Sequence, residues 1–95
     1  METNINKVLS QRGKIYGKYE DGVECRAQIM GALKQLYKKC NREDMPESMS
    51  VMFSDITLKM MRAVTAPEHI DSWIDLAGYA KLIKETMCKR YDSNS

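Results

Sequence analysis

Apolar residues recur every three or four positions in four stretches of this 95-residue chain, which is the spacing of amphipathic helices. No stretch alternates with the period of a β-strand. Pro67 sets the end of the third stretch, because a proline disfavours helix in the residue before it. The pattern predicts an all-α fold, a compact bundle of three to four helices, as a single domain over 1–95 with a frayed tail at 92–95. The predicted helices are Asn4 to Gln11, Asp21 to Cys40, Pro46 to Thr65 and Asp71 to Arg90, with Asp21 and Asp71 as N-caps and Pro46 as the first helical residue.

Each long helix has a predicted inner face, but the chain has few large apolar side chains to fill a core. The chain has eight methionines and only one phenylalanine and one tryptophan, and a domain of this size hides only about two thirds of its unfolded surface. We therefore expect a homo-oligomer, a dimer or a tetramer. The predicted inner residues are Val23, Ala27, Met30, Leu33, Leu36, Tyr37 and Cys40, then Met49, Met52, Phe53, Ile56, Met60, Ala63 and Val64, then Trp73, Leu76, Ala77, Ala80, Ile83 and Met87.

Charge and cysteine content exclude several classes of function. Fifteen basic and thirteen acidic residues are interspersed, with a net charge of +2, so we expect neither DNA nor RNA as a partner. No run of about eighteen apolar residues predicts a membrane span, and no signal-peptide pattern opens the chain, so we expect a cytoplasmic protein. Three widely spaced cysteines and one histidine form no zinc motif, and we expect reduced, buried thiols.

Two stripes of polar residues border the apolar faces of the third and fourth helices. If these helices pack antiparallel, the stripes meet in a partly buried polar seam. An ion-pair network that fixes helix register is one interpretation. The other is a basic pair that grips phosphate. Residues three, four and seven apart share a helix face, and by that rule the stripes are Asp55, Lys59 and Arg62 on the third helix and Asp71, Asp75 and Gly78 on the fourth.

The segment between the first two helices has the composition of an anion-binding loop. Arg12 to Tyr19 combines two glycines, three cations and two tyrosines. Backbone N–H groups beside cations can cradle an anion, and an aromatic ring can stack on a base. A solvated loop is the alternative. Trp73 is likewise either a core anchor or a stacking platform.

Three blocks of the sequence resemble a family of small phage and prophage domains without an assigned activity. The blocks run in the same order and spacing in that family, and the resemblance covers roughly Val8 to Glu85. The third block is the specific one. The blocks are Arg12-Gly13-Lys14-Ile15-Tyr16-Gly17, then Leu58-Lys59-Met60-Met61-Arg62, then Asp71-Ser72-Trp73-Ile74-Asp75-Leu76-Ala77-Gly78-Tyr79-Ala80.

That family is in turn similar to the all-α nucleotide pyrophosphatases of the MazG type. Those enzymes hold magnesium with paired carboxylates on adjacent helices. The resemblance implies that Asp71 and Asp75 correspond to one pair and that Glu24, with Asp21 or Glu20, corresponds to the other. In that reading Glu24, Asp71 and Asp75 bind Mg²⁺. The set is incomplete for metal-assisted hydrolysis, so we expect no catalytic residue and no cofactor.

Three functions follow. Small phage proteins of this sort include sponges that sequester the cyclic nucleotide signals of bacterial defence systems such as CBASS. The first hypothesis is therefore a phage-encoded sponge that binds cyclic or linear nucleotides and evades host immunity. The alternatives are a magnesium-dependent nucleoside triphosphate pyrophosphatase and a protein-binding inhibitor of a host factor. The ligand-binding residues predicted for the sponge are Arg12, Lys14, Tyr16, Lys59, Arg62, Trp73, Asp71 and Asp75.

Overall fold

The computed structural model describes residues 5–11 and 17–92, and every long segment within them is helical. Four helices follow one another along the described residues, with no strand among them. The prediction of an all-α bundle is confirmed. The helices are α1 (5–11), α2 (Tyr19–Asn41), α3 (Glu47–Thr65) and α4 (Ile70–Asp92).

The predicted helix starts are each displaced by one or two residues. Lys18 is the N-cap of α2, and Asp21 lies in the first turn instead. Pro46 is the N-cap of α3, one position before its first helical residue. Asp71 also lies inside the first turn of α4, because that helix begins at Ile70. In the first turn an aspartate still interacts favourably with the positive end of the helix dipole. At the other end, α4 continues to Asp92, the first residue of the predicted frayed tail. The rest of that tail, 93–95, lies outside the described residues.

Helix α3 is central, because both α2 and α4 pack on it. On the α2 side, Thr57 is fully buried and its hydroxyl donates a weak hydrogen bond to the Met30 sulfur at 3.9 Å. Further along, α2 comes so close that a Cβ on Gly22 would lie 3.2 Å from the Met61 methyl group. The two interfaces therefore use different faces of the same helix.

The C-terminal ends of α2 and α4 lie at the same end of the bundle as the start of α3. Arg90 of α4 donates a hydrogen bond to the Ser48 hydroxyl of α3 at 3.0 Å. The pKa of Tyr37 is raised above its ordinary value of 10.0. The main cause is desolvation of the hydroxyl, and the charges of nearby Glu43 and Tyr91 raise it further. The helices are successive antiparallel neighbours: α2 meets α3 through Met30 with Thr57 and through Gly22 beside Met61, and α4 meets α3 through the Arg90 hydrogen bond and the Lys59–Asp75 pair.

Small residues are buried where α3 ends and α4 begins. Ala63 and Ala66 are the most buried apolar residues of the described chain, and Ser72 is 4% exposed. Trp73 stabilises the connecting turn, since its indole N–H donates to the Pro67 carbonyl at 2.8 Å. Small side chains allow the two helix backbones to approach closely at this point.

Several residues predicted to be internal are exposed. Trp73 is 47% exposed, and Ala77 and Ala80 also face outward, because α4 turns Ser72, Leu76 and Tyr79 toward α3 instead. The prediction of buried thiols is wrong. The three free cysteines are exposed, namely Cys25, Cys40 and Cys88. The other predicted core residues found exposed are Val23, Ala27, Leu36, Met60 and Val64.

None of the described helices combines the length and the apolar character needed to cross a bilayer.

The close contact between α3 and α4 predicts an asymmetric response to larger side chains. Ala63→Leu forces a side chain into filled space and should lower the free energy of unfolding by about 1–3 kcal/mol. Val64→Leu is the matched control, because Val64, the residue after Ala63, is 77% exposed. This change should alter the free energy of unfolding by less than about 0.5 kcal/mol. Urea denaturation of both variants measures the difference, and equal effects would contradict this packing.

Candidate functional site

The three residues of the predicted polar stripe on α3 differ in how far they are buried. Asp55 is exposed, Arg62 is half-buried, and the Lys59 side chain is only 14% exposed. A lysine with its stem so covered can still bring its ammonium group to the surface. Lys59 is therefore the residue of the stripe that is most enclosed by neighbouring side chains, and those neighbours determine which ligand groups could reach its ammonium group.

Lys59 meets two side chains of α4. Its ammonium nitrogen lies 3.8 Å from Oδ2 of Asp75 and 5.0 Å from the centroid of the Tyr79 ring. Asp75 and Tyr79 are four residues apart, so they stand one above the other on the same face of α4. We call the set of Lys59, Asp75, Tyr79 and Ser72 the α3–α4 seam.

The contact between Lys59 and Asp75 leaves hydrogen-bonding capacity unused. A separation of 3.8 Å exceeds the range of an N–H···O hydrogen bond, and Asp75 is 54% exposed to solvent. The ammonium group carries three donors. An anionic group entering the seam could accept from Lys59, and Asp75 could turn to water as it did so.

Ser72 adds a buried polar group to the same face of α4. It lies three residues before Asp75 and seven before Tyr79, and its hydroxyl oxygen has no hydrogen-bond partner within the described residues. Such a group costs about 1–3 kcal/mol when it is left unpaired. The sequence analysis missed Ser72, although it lies inside the third block of the resemblance.

The remaining predicted site residues are placed as follows. Asp71 is exposed in the first turn of α4, and the ring of Trp73 is half-exposed while its N–H is engaged by Pro67. Gly78 has open space around its Cα. Arg12, Lys14 and Tyr16 lie outside the described residues.

The carboxylates implied for magnesium do not come together in this chain. Glu24 is on α2, whereas Asp71 and Asp75 are on α4, and α3 packs between the two helices. Over 5–11 and 17–92, no three histidine, cysteine or carboxylate side chains are grouped closely enough to hold a metal ion. Within one described chain, these carboxylates do not form the metal site that the resemblance implies.

A second cationic surface lies between α2 and α3. Arg26 and Lys34 border a shallow depression with the hydroxyls of Ser50 and Ser54. Asp44 and Glu47 border the next depression, which shares Lys34 and Ser50 with the first. This surface was not predicted from the sequence. No aromatic residue lines either depression among the described residues.

Comparison with known proteins places the chain in one family. A family model described as a domain of unknown function, DUF6378, matches residues 1–87. The chain belongs to the DUF6378 family. No curated protein and no solved structure gives a significant match. In this DUF6378 domain, the evidence on the role of the α3–α4 seam is the positions of its own side chains.

The geometry of the seam predicts that the Lys59 stem matters more to stability than its charge. Because Asp75 is half-exposed, it can be solvated when Lys59 is removed, so Lys59→Met should change the free energy of unfolding by less than about 1 kcal/mol. Lys59→Ala also removes the packed methylenes and should cost about 1–3 kcal/mol. Chemical denaturation of both variants checks the order. A loss of several kcal/mol in Lys59→Met would mean that the ion pair itself holds the helices together.

Proposed function

We propose that this protein binds a nucleotide at the α3–α4 seam and sequesters it without hydrolysis. The observation that carries the proposal is the convergence of two blocks of the sequence on one cation. Lys59 comes from the second block, and Asp75 and Tyr79 come from the third. A site to which two separate segments contribute side chains is stronger evidence for ligand binding than a row of charges on one helix.

The seam offers the groups that a nucleotide requires. The Lys59 ammonium can donate to a phosphate oxygen, and charge-assisted hydrogen bonds of this kind are the strong ones. The Tyr79 ring is half-buried and offers a surface for a base. The exposed carboxylates of Asp71 and Asp75 can accept from the N–H groups of a base or the hydroxyls of a ribose. Arg62, one turn from Lys59, adds a second cation to the same helix.

Sequestration is favoured over hydrolysis by the positions of the carboxylates. Phosphoryl chemistry of the magnesium-dependent kind needs several carboxylates around the metal and the attacking water, and this chain separates Glu24 from Asp71 and Asp75 by a helix. Binding through a cation, a ring and a hydroxyl requires none of that. The proposed ligand is a cyclic dinucleotide, whose two phosphates and two bases suit a site repeated in a symmetric oligomer.

The biological setting belongs to the same proposal. A phage protein of this kind would act in the cytoplasm of the infected bacterium, where it would remove the signalling nucleotide of a CBASS-type defence. This setting is supported by the resemblance of the three sequence blocks.

The first test is recovery of ligand from a panel of linear and cyclic nucleotides. The protein should retain a cyclic nucleotide in excess EDTA and release it intact after denaturation. The single tryptophan, Trp73, lies two residues before Asp75 and gives a fluorescence signal for titration. Lys59→Met should weaken binding by about 1.5–3 kcal/mol, the worth of a charge-assisted hydrogen bond.

The matched control is Lys34→Met, which removes a cation from the depression between α2 and α3. Its affinity should equal that of the unmodified protein. If Lys34→Met weakens binding and Lys59→Met does not, the ligand lies on the other side of α3. Release of pyrophosphate and monophosphate with magnesium would replace sequestration with catalysis, and no retention of any nucleotide would remove the proposal.

Ser72 provides a second test, in which stability and affinity move in opposite directions. Ser72→Ala removes a buried hydroxyl that has no partner, so the ligand-free protein should gain about 1 kcal/mol of stability. If the hydroxyl serves the ligand, the same variant should bind the nucleotide more weakly. Paired thermal melts with and without nucleotide measure both effects. Unchanged affinity in a stabilised Ser72→Ala protein would exclude this hydroxyl from the site.

A further inference from the structure

The outer face of α4 is apolar although nothing in the described chain covers it. Ile70 is 68% exposed, Ile74 is 61% exposed, and Trp73 and Ala77 are exposed beside them. These four residues are spaced at i, i+3, i+4 and i+7, the spacing of a helix face that packs on another helix. They point away from Ser72, Leu76 and Tyr79, which face α3. We call Ile70, Trp73, Ile74 and Ala77 the outer face of α4.

A glycine borders this face at the middle of the helix. Gly78 follows Ala77, and a Cβ added to Gly78 would meet no atom within 4 Å. Glycine is a poor helix former, and the packing of one chain gives no reason for its presence here. Close approach of a second backbone is one of the situations in which glycine is used.

Charge along α4 is divided between its two halves. Residues 70–80 contain two acidic residues and no basic residue, namely Asp71 and Asp75, whereas residues 81–92 contain four basic residues and two acidic ones. Two copies of this helix packed antiparallel bring each acidic half beside a basic half. Parallel packing would place like charges side by side. Asp75 and Arg90 already meet α3, but exposed Asp71 in the first half and exposed Lys81 and Lys84 in the second still favour the antiparallel orientation.

We infer that the outer face of α4 is the surface on which a second copy of this chain packs, with the two α4 helices antiparallel about a two-fold axis near Ala77 and Gly78. The same residues then contact each other across the axis, as in any isologous interface. The exposure and the charges of α4 support this interface, and neither depends on nucleotide binding.

The decisive experiment is the mass in solution of the full chain across micromolar concentrations, measured by sedimentation equilibrium. The unmodified protein should form a dimer or a tetramer built from that dimer. Ile74→Arg places a cation on the outer face in both copies and should raise the dissociation constant of the α4 contact by about 100-fold or more, as loss of a central interface residue does. Leu36→Arg is the matched control, since Leu36 is 57% exposed on α2 and should leave the mass unchanged.

A charge exchange tests the orientation. A two-fold axis near Ala77 and Gly78 sets Asp71 opposite Lys84 of the other copy. Lys84→Glu and Asp71→Lys should each weaken association, because each places like charges together, and the two changes combined should restore part of the loss. Circular dichroism of every variant confirms that the helices persist. A monomeric unmodified protein, an Ile74→Arg protein of unchanged mass, or a combined variant weaker than both single variants would overturn the inference.

Discussion

The structure depends on α3 being packed on two sides. Thr57 and Met61 contact α2, whereas Lys59 contacts α4, and Ala63, one turn after Lys59, is buried. A helix shared in this way cannot shift toward one neighbour without losing contact with the other. The small residues at its C-terminal end bring α4 close, and that closeness carries Lys59 to Asp75 and Tyr79. The position of the α3–α4 seam is thus a consequence of helix packing.

The sequence predicted the helices well, but it predicted their faces less well. Of the residues predicted for the polar seam, Lys59 and Asp75 form an ion pair, whereas Asp55 and Asp71 are exposed. Helix ends follow from local signals such as Pro67, and the meeting of Lys59 with Asp75 follows from helical spacing. Trp73 and Ala77 were assigned to the core because α4 has two apolar stripes, and periodicity alone does not say which one faces α3. The choice is made by Ser72, a small polar residue that permits close approach and that a hydrophobicity pattern places outside the core.

The seam also shows why an ion pair is a weak guide to function. The Lys59 ammonium interacts with the Asp75 carboxylate and with the ring of Tyr79. The first is an ion pair longer than a hydrogen bond and the second is a cation–π contact, so neither uses a hydrogen-bond donor of the ammonium group. A network built only for stability would be expected to close its hydrogen bonds and to leave no hydroxyl unpaired. Under the proposal, a ligand would accept from Lys59 and pair with the Ser72 hydroxyl, which has no partner within the described residues.

The two faces of α4 connect association to binding. One face supplies Ser72, Asp75 and Tyr79 to the seam, and the opposite face carries Ile70 and Ile74. Anything that binds only the folded chain raises its apparent stability by mass action, so a partner copy on the outer face would also hold the seam in its folded form. Stability, association and affinity are then linked through one helix. Comparisons between variants are meaningful only at a fixed protein concentration, because dilution alone would weaken the support that α4 gives to the site.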